Sequence, residues 1–165
     1  MYYTTDEDNS IRRAGLDGSN PVTIISGEAG DYWDIATDFN SSTLFWTARS
    51  AHTIESSDLN GGNRRTIVRL PANSYPRGIA LANDRIYWAH SGDEKKLQSG
   101  TIHGNDVITL LTDTKTIHAL TLVPDLSLPQ DRTNHCARNS CLKVCVLTAI
   151  TATSYFIPLP GLSND

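Results

Sequence analysis

Cysteine is missing from the first 135 residues of this 165-residue chain, and Cys136, Cys141 and Cys145 all fall within ten residues of one another near the carboxyl end. An odd, clustered set of this kind marks a small separate module. A zinc site using the three with His135 is the alternative reading, and the absence of CxxC pairs counts against it. Basic excess is missing too. Fourteen Lys and Arg stand against eighteen Asp and Glu, a net charge of −4, which argues against a nucleic-acid partner. No stretch approaches eighteen apolar residues. The longest apolar-leaning segment, Leu142 to Ile150, is interrupted by Lys143 and Thr148 and is too short to span a bilayer, so no direct membrane insertion is expected. Met1 runs straight into an aromatic segment without a basic n-region, an apolar h-region or a cleavage site. Taken literally, the chain is cytosolic; taken as a piece of a longer protein, it says nothing about export.

Catalytic signatures are lacking as well: there is no Gly-x-Ser-x-Gly elbow, phosphate loop or His-Glu-x-x-His. The acidic runs Asp6-Glu7-Asp8 and Asp93-Glu94 do not have the alternating ligand spacing of a calcium loop and read as solvated loop charge. No catalytic residue, metal or cofactor is therefore expected, and the chain is not read as an enzyme. Convincing helical periodicity is absent throughout.

What is present is a repeat. Tyr2-Tyr3-Thr4, Phe45-Trp46-Thr47 and Tyr87-Trp88-Ala89 are aromatic cores about 43 residues apart. Each precedes a turn dipeptide, Asp17-Gly18, Asn60-Gly61 and His103-Gly104, and then an apolar run in which Ile24, Ile67 and Leu110 keep the same step. Aromatic and β-branched residues at these places favour strands, and the first two turn dipeptides suggest type I′ hairpins. With further strands expected at Trp33 to Asp38, Gly78 to Leu81 and Ala119 to Leu122, each period holds about four strands. A period of 40 to 45 residues built this way is the mark of a β-propeller blade. After Leu122 the repeat fades into a Pro- and polar-rich linker, placing a boundary near residue 130.

These residues carry a family resemblance. The aromatic cores resemble degenerate Tyr-Trp-Thr-Asp (YWTD) repeats of low-density lipoprotein receptor class B. Ile11-Arg12-Arg13-Ala14-Gly15-Leu16-Asp17-Gly18-Ser19-Asn20 is similar to that family's Ile-x-Arg-x-x-Leu-Asp-Gly-Ser-Asn signature. The segment Asn134 to Thr148 resembles the first half of the EGF-like module that follows each propeller in such receptors. The motif aspartate is replaced by Thr5, Ala48 and His90. Ile157 and Leu159 stand where the fourth and fifth cysteines of the module are expected. The expected fold is all-β: residues 1–130 as a partial YWTD-type propeller of about three four-stranded blades, and residues 131–165 as a degenerate EGF-like, irregular, cysteine-containing tail. The resemblance implies a Cys136–Cys145 disulfide and a free thiol at Cys141.

The family's ring has six blades, so three copies suggest a piece of a longer chain or a homodimer that completes the ring. The implied function is an extracellular or cell-surface ligand-binding module of a lipoprotein-receptor-like endocytic receptor, with a lipoprotein or secreted factor as protein ligand. A Wnt co-receptor-type module, a propeller hydrolase and a structural matrix module are the alternatives. Aromatics at the repeated phase read as core. Trp33 breaks that phase and is the first candidate for ligand contact, with Tyr32 and Tyr75 beside loops that resemble the family's ligand-facing rim. Relatives of the family release ligands in acidic endosomes, which makes His90, at the motif's aspartate position, the pH-sensing candidate. The remaining histidines, His52, His103, His118 and His135, are scattered. Asn40-Ser41-Ser42 is a glycosylation sequon in an expected loop.

Overall fold

The computed structural model describes residues 1–27, 31–82, 84–113, 117–124, 142–148 and 155–158. Among them are fourteen strands and no helix, arranged in four antiparallel sheets. The first sheet is β1 (Tyr2–Thr5), β2 (Ser10–Arg13) and β3 (Val22–Ile25). The second is β4 (Tyr32–Asp38), β5 (Thr43–Ala48), β6 (Thr53–Asp58) and β7 (Arg65–Arg69), and the third is β8 (Ser74–Ala82), β9 (Arg85–Gly92), β10 (Lys95–Thr101) and β11 (Ile108–Asp113). Each runs as a meander in chain order. The fourth joins β12 (Ile117–Pro124) to β13 (Leu142–Thr148) and β14 (Tyr155–Pro158). Two sheets thus have the expected four strands, and they are flanked by two of three.

The aromatic segments form β1, β5 and β9. The strands expected before them are longer than the sequence suggested, at Tyr32–Asp38, Ser74–Ala82 and Ile117–Pro124. Of the tail expected from residue 131, the described residues extend the sheet begun by β12. Cys145 lies on β13, its backbone opposite Thr121 and Phe156. Cys136 and Cys141 lie outside the described residues, and so does the expected linker.

The first two repeated turns differ from the expected type I′, and the third shares their geometry. Asp17, Asn60 and His103 do not adopt positive φ; the glycines after them do, at 82°, 88° and 82°, followed two residues later by Asn20, Asn63 and Asp106 at 49°, 55° and 51°. Backbone bonds Gly18 N–H to Gly15 C=O, Gly61 N–H to Asp58 C=O and Gly104 N–H to Thr101 C=O close three-residue loops with the left-handed glycine last. Asp17 and Asp58 also accept bonds from backbone N–H groups two residues on, which favours this turn over the mirror-image form.

The core lies between sheets. Successive residues of a strand face opposite ways, so each aromatic strand fills two layers. Trp46 packs with Ile11, Ile25, Tyr32 and Leu44 between the first and second sheets. Its neighbour Phe45 packs with Ile54, Leu70, Ile79, Ile86 and Trp88 between the second and third. Tyr87 then joins Ala80, Leu97, Ile117 and Leu120 towards the fourth. The repeated aromatics of β5 and β9 are therefore core, as their common phase implied. Blade-to-blade contact also depends on the turn glycines. A Cβ on Gly61 would lie 2.2 Å from Ile24 O, and one on Gly104 would lie 2.0 Å from Ile67 O.

Candidate ligand-binding face

The first strands of three successive sheets each carry a bulge at the same level. In β4 the pairing jumps from Tyr32 opposite Ala48 to Ile35 opposite Trp46, and in β8 from Pro76 opposite His90 to Ile79 opposite Trp88. In β12 it jumps from Ile117 opposite Thr148 to Ala119 opposite Leu147. Bulges re-aim side chains out of the pleat. Here they bring Trp33, Arg77 and His118 into a row across three sheets. The Arg77 guanidinium carbon sits 4.7 Å from the centre of the Trp33 ring, and its Nη1 donates to His118 Nδ1 at 3.4 Å.

Partly buried polar bonds hold this row in place. Thr47 Oγ1 donates to Arg77 O at 2.8 Å and accepts from Asp34 N–H at 3.0 Å. The Asp34 carboxylate accepts from Ile79 N–H and Ile35 N–H, both at 2.9 Å, which ties β4 to β8. Burial pushes the Asp34 carboxyl above its ordinary range against the pull of those two donors.

Around the row stand Arg49, Tyr75, His52 and Asp31. The Arg49 guanidinium lies 5.6 Å from both the Trp33 and the Tyr75 ring centres. Its Nη1 donates to Asp31 Oδ2 at 3.2 Å, while its buried Nε has no hydrogen-bond partner. His52 tilts against Tyr75 at 5.1 Å and pairs through Nδ1 with Ser74 O at 2.9 Å. Burial, then the like charge of Arg49, lowers the Arg77 pKa from its ordinary value, with Asp31 opposing. Arg77 forms no ion pair among the described residues; its Nε donates to Ser91 Oγ at 2.9 Å. Trp33 also borders a cleft of about 360 Å³ lined by Thr4, Thr5, Asp6, Asn9, Asp31 and Tyr32.

Trp33 is 42% exposed and sits at the centre of this face, whereas Trp46 and Trp88 are fully buried. Tyr75 is half-buried beside it. Tyr32 differs from its expected surface placement: it is 7% exposed and meets Trp46 edge-on, with ring centres 6.3 Å apart. It is paired within the ladder just before the bulge, so its side chain stays in the core layer. His90 is also apart from the face. It is 3% exposed on β9, its Nδ1 has no partner, and burial holds its pKa below the usual histidine value. Asn40 is exposed in the turn between β4 and β5. The sequence reading missed Arg49 and Arg77, because nothing in the spacing marks an arginine that a turn, at Arg49, or a bulge, at Arg77, will aim towards a tryptophan. Among the described residues no group of three or more His, Cys, Asp or Glu is placed to hold a metal ion. No helix among them is long and apolar enough to cross a membrane.

No family model matches the chain. Human low-density lipoprotein receptor-related protein 5-like protein is 31% identical over 113 residues, covering 67% of this chain and 44% of that protein. Human low-density lipoprotein receptor-related protein 5 is 35% identical over 147 residues, covering 82% of the chain and 8% of its own length. Among solved structures, the nidogen/laminin complex aligns with a TM-score of 0.71 at 28% identity, over 89% of this chain and 52% of that one. The fold resembles a YWTD propeller. A streptogramin B lyase matches at a TM-score of 0.61 over 98% of this chain and 51% of that one, and at 16% identity it shows the fold alone. The chain therefore spans less than half the length of these curated relatives, which are named as receptor and receptor-like proteins.

Proposed function

We propose that the chain is an extracellular ligand-binding module of a lipoprotein-receptor-like endocytic receptor, and that the face around Trp33 takes a protein ligand. One observation carries this reading. Of the chain's three tryptophans, the one outside the repeat's phase is at the surface, with the guanidiniums of Arg77 and Arg49 4.7 Å and 5.6 Å from its ring centre, while the two at the repeated phase fill the core. Exposed aromatic and arginine side chains are the residue types enriched where proteins dock. The similarity to lipoprotein-receptor-related proteins supports the receptor class.

A structural matrix module is the second reading, favoured by the fold match to the nidogen/laminin complex. The two separate in a binding experiment with the full chain immobilised, probed in parallel with purified lipoprotein and with basement-membrane extract. The receptor reading expects lipoprotein capture that falls about tenfold or more in Trp33→Ala, the size of loss usual for a buried anchor. Capture of matrix protein alone supports the second reading. Capture that ignores Trp33 removes the face from both.

A further inference from the structure

We propose that this face recognises a carboxylate, the Asp or Glu side chain of an extended peptide segment, received between Arg77 and Arg49 over the Trp33 ring. The inference rests on the ligand-binding reading above and adds the chemistry of the ligand. Two guanidiniums share the neighbourhood of one indole, and among the described residues a single carboxylate, Asp31, pairs with either of them. Arg77 has only hydroxyl and imidazole partners, and Arg49 has a buried Nε with none. Burial first and then the like charge of Arg49 depress the Arg77 pKa, and an anion placed beside both guanidiniums relieves the second of these. Planar guanidinium is the donor best matched to a carboxylate, and a site whose surroundings restrict its rotation loses less freedom on binding. Thr47 and Asp34 fix the backbone beneath Arg77, and the bonds from its Nε to Ser91 Oγ and from its Nη1 to His118 Nδ1 restrain the guanidinium itself.

Local charge limits the ligand to a short anionic stretch. Beyond Trp33 the surface turns acidic, with Asp6 and Asp31 lining the adjoining cleft. A polyanion running across the face, such as a sulfated glycan, would leave the arginines and meet carboxylates. A peptide can place one acidic side chain on the arginines and neutral or basic neighbours in the cleft. The chain as a whole carries −4, which also disfavours a polyanion.

The test is selection of random twelve-residue peptides on the immobilised full chain, followed by fluorescence anisotropy of the individual peptides recovered. The inference expects recovered peptides to share an Asp or Glu. Changing that residue to Asn or Gln should weaken binding about tenfold or more, as should Arg77→Gln. In combination the two changes should cost little more than either alone, because they break the same contact. Arg77→Lys keeps the charge but not the fork, and should recover only part of the affinity; near-ultraviolet circular dichroism checks that each variant is folded. Peptides that bind through Trp33 without needing a carboxylate, or a heparin oligosaccharide that outcompetes them at the same arginines, would overturn the carboxylate assignment and leave the ligand face standing. Binding unaffected by Trp33→Ala, Arg49→Gln and Arg77→Gln, or no recovered peptide, would overturn both.

Discussion

Gly18, Gly61 and Gly104 occupy the same backbone conformation at the same phase of the repeat, yet their surroundings differ. A Cβ on Gly104 would meet Ile67 O at 2.0 Å and one on Gly61 would meet Ile24 O at 2.2 Å, while Gly18 has nothing within 4 Å. Alanine at Gly18 carries only the strain of left-handed φ, about 1–3 kcal/mol. Alanine at Gly104 adds the cost of forcing two blades apart, about 1–3 kcal/mol more. Urea denaturation should therefore rank Gly104→Ala well below Gly18→Ala in stability, and equal losses would remove the blade-contact explanation. His90 makes a second prediction at this scale. Its folded pKa lies below the ordinary value because burial penalises the charged ring; the Gln98 bond raises it, Lys96 lowers it and Glu94 raises it. The unfolded chain therefore takes up the proton first, and stability present above the ordinary histidine pKa is lost as pH falls through the folded value. Between pH 7.5 and 5.5 the protein should lose stability to denaturant, and His90→Asn should lose less over that range. Identical slopes would mean that the loss arises elsewhere and that His90 is no acid sensor.

At the scale of elements, strands were legible where the chain alternates or carries aromatics, and bulges were not. The 43-residue step aligns Tyr32 with Tyr75, and the sequence reading gives both the same role for standing beside loops that resemble the family's ligand-facing rim. Each ladder instead puts Tyr32 and Pro76 at the equivalent place, the last pair before the bulge, so that Trp33 corresponds to Arg77, one residue out of that phase. The offset arises because Ile35 and Ile79 are 44 residues apart while their partners Trp46 and Trp88 are 42 apart. A spacing argument averages over such compensations, so it finds the blade and misplaces the bulge. The turn geometry was hidden for a related reason. Asn-Gly and Asp-Gly favour type I′ in an isolated hairpin, but the aspartates at 17 and 58 accept local backbone N–H groups and hold a longer loop. Trp33 was findable because it broke the phase. Arg49 and Arg77 look like ordinary surface charge until β4 and β8 are set side by side.

For the whole molecule, the apolar clusters are shared between adjacent sheets, so each blade is stabilised mainly by its neighbours, and the first strands of successive sheets, β1, β4, β8 and β12, contact one another as a row of inner strands. That arrangement places the ligand face on the best-supported elements: β4 and β8 carry Trp33 and Arg77, and the hairpin loops at Asp17, Asn60 and His103 carry the exposed outer turns, with Leu16 91% exposed at one tip. The fold match to a propeller over about half of the nidogen-complex chain is consistent with successive blades in this order. The central claim is that a protein ligand lands on the inner-strand face rather than on the outer turns. Amide hydrogen exchange of the full chain, with and without a ligand captured in the binding experiment, tests it most directly. The account predicts slower exchange on binding at Asp31–Ile35, Arg49–Thr53 and Ser74–Ile79. Protection confined to the turns around Gly18, Gly61 and Gly104, with those three segments unchanged, would contradict it.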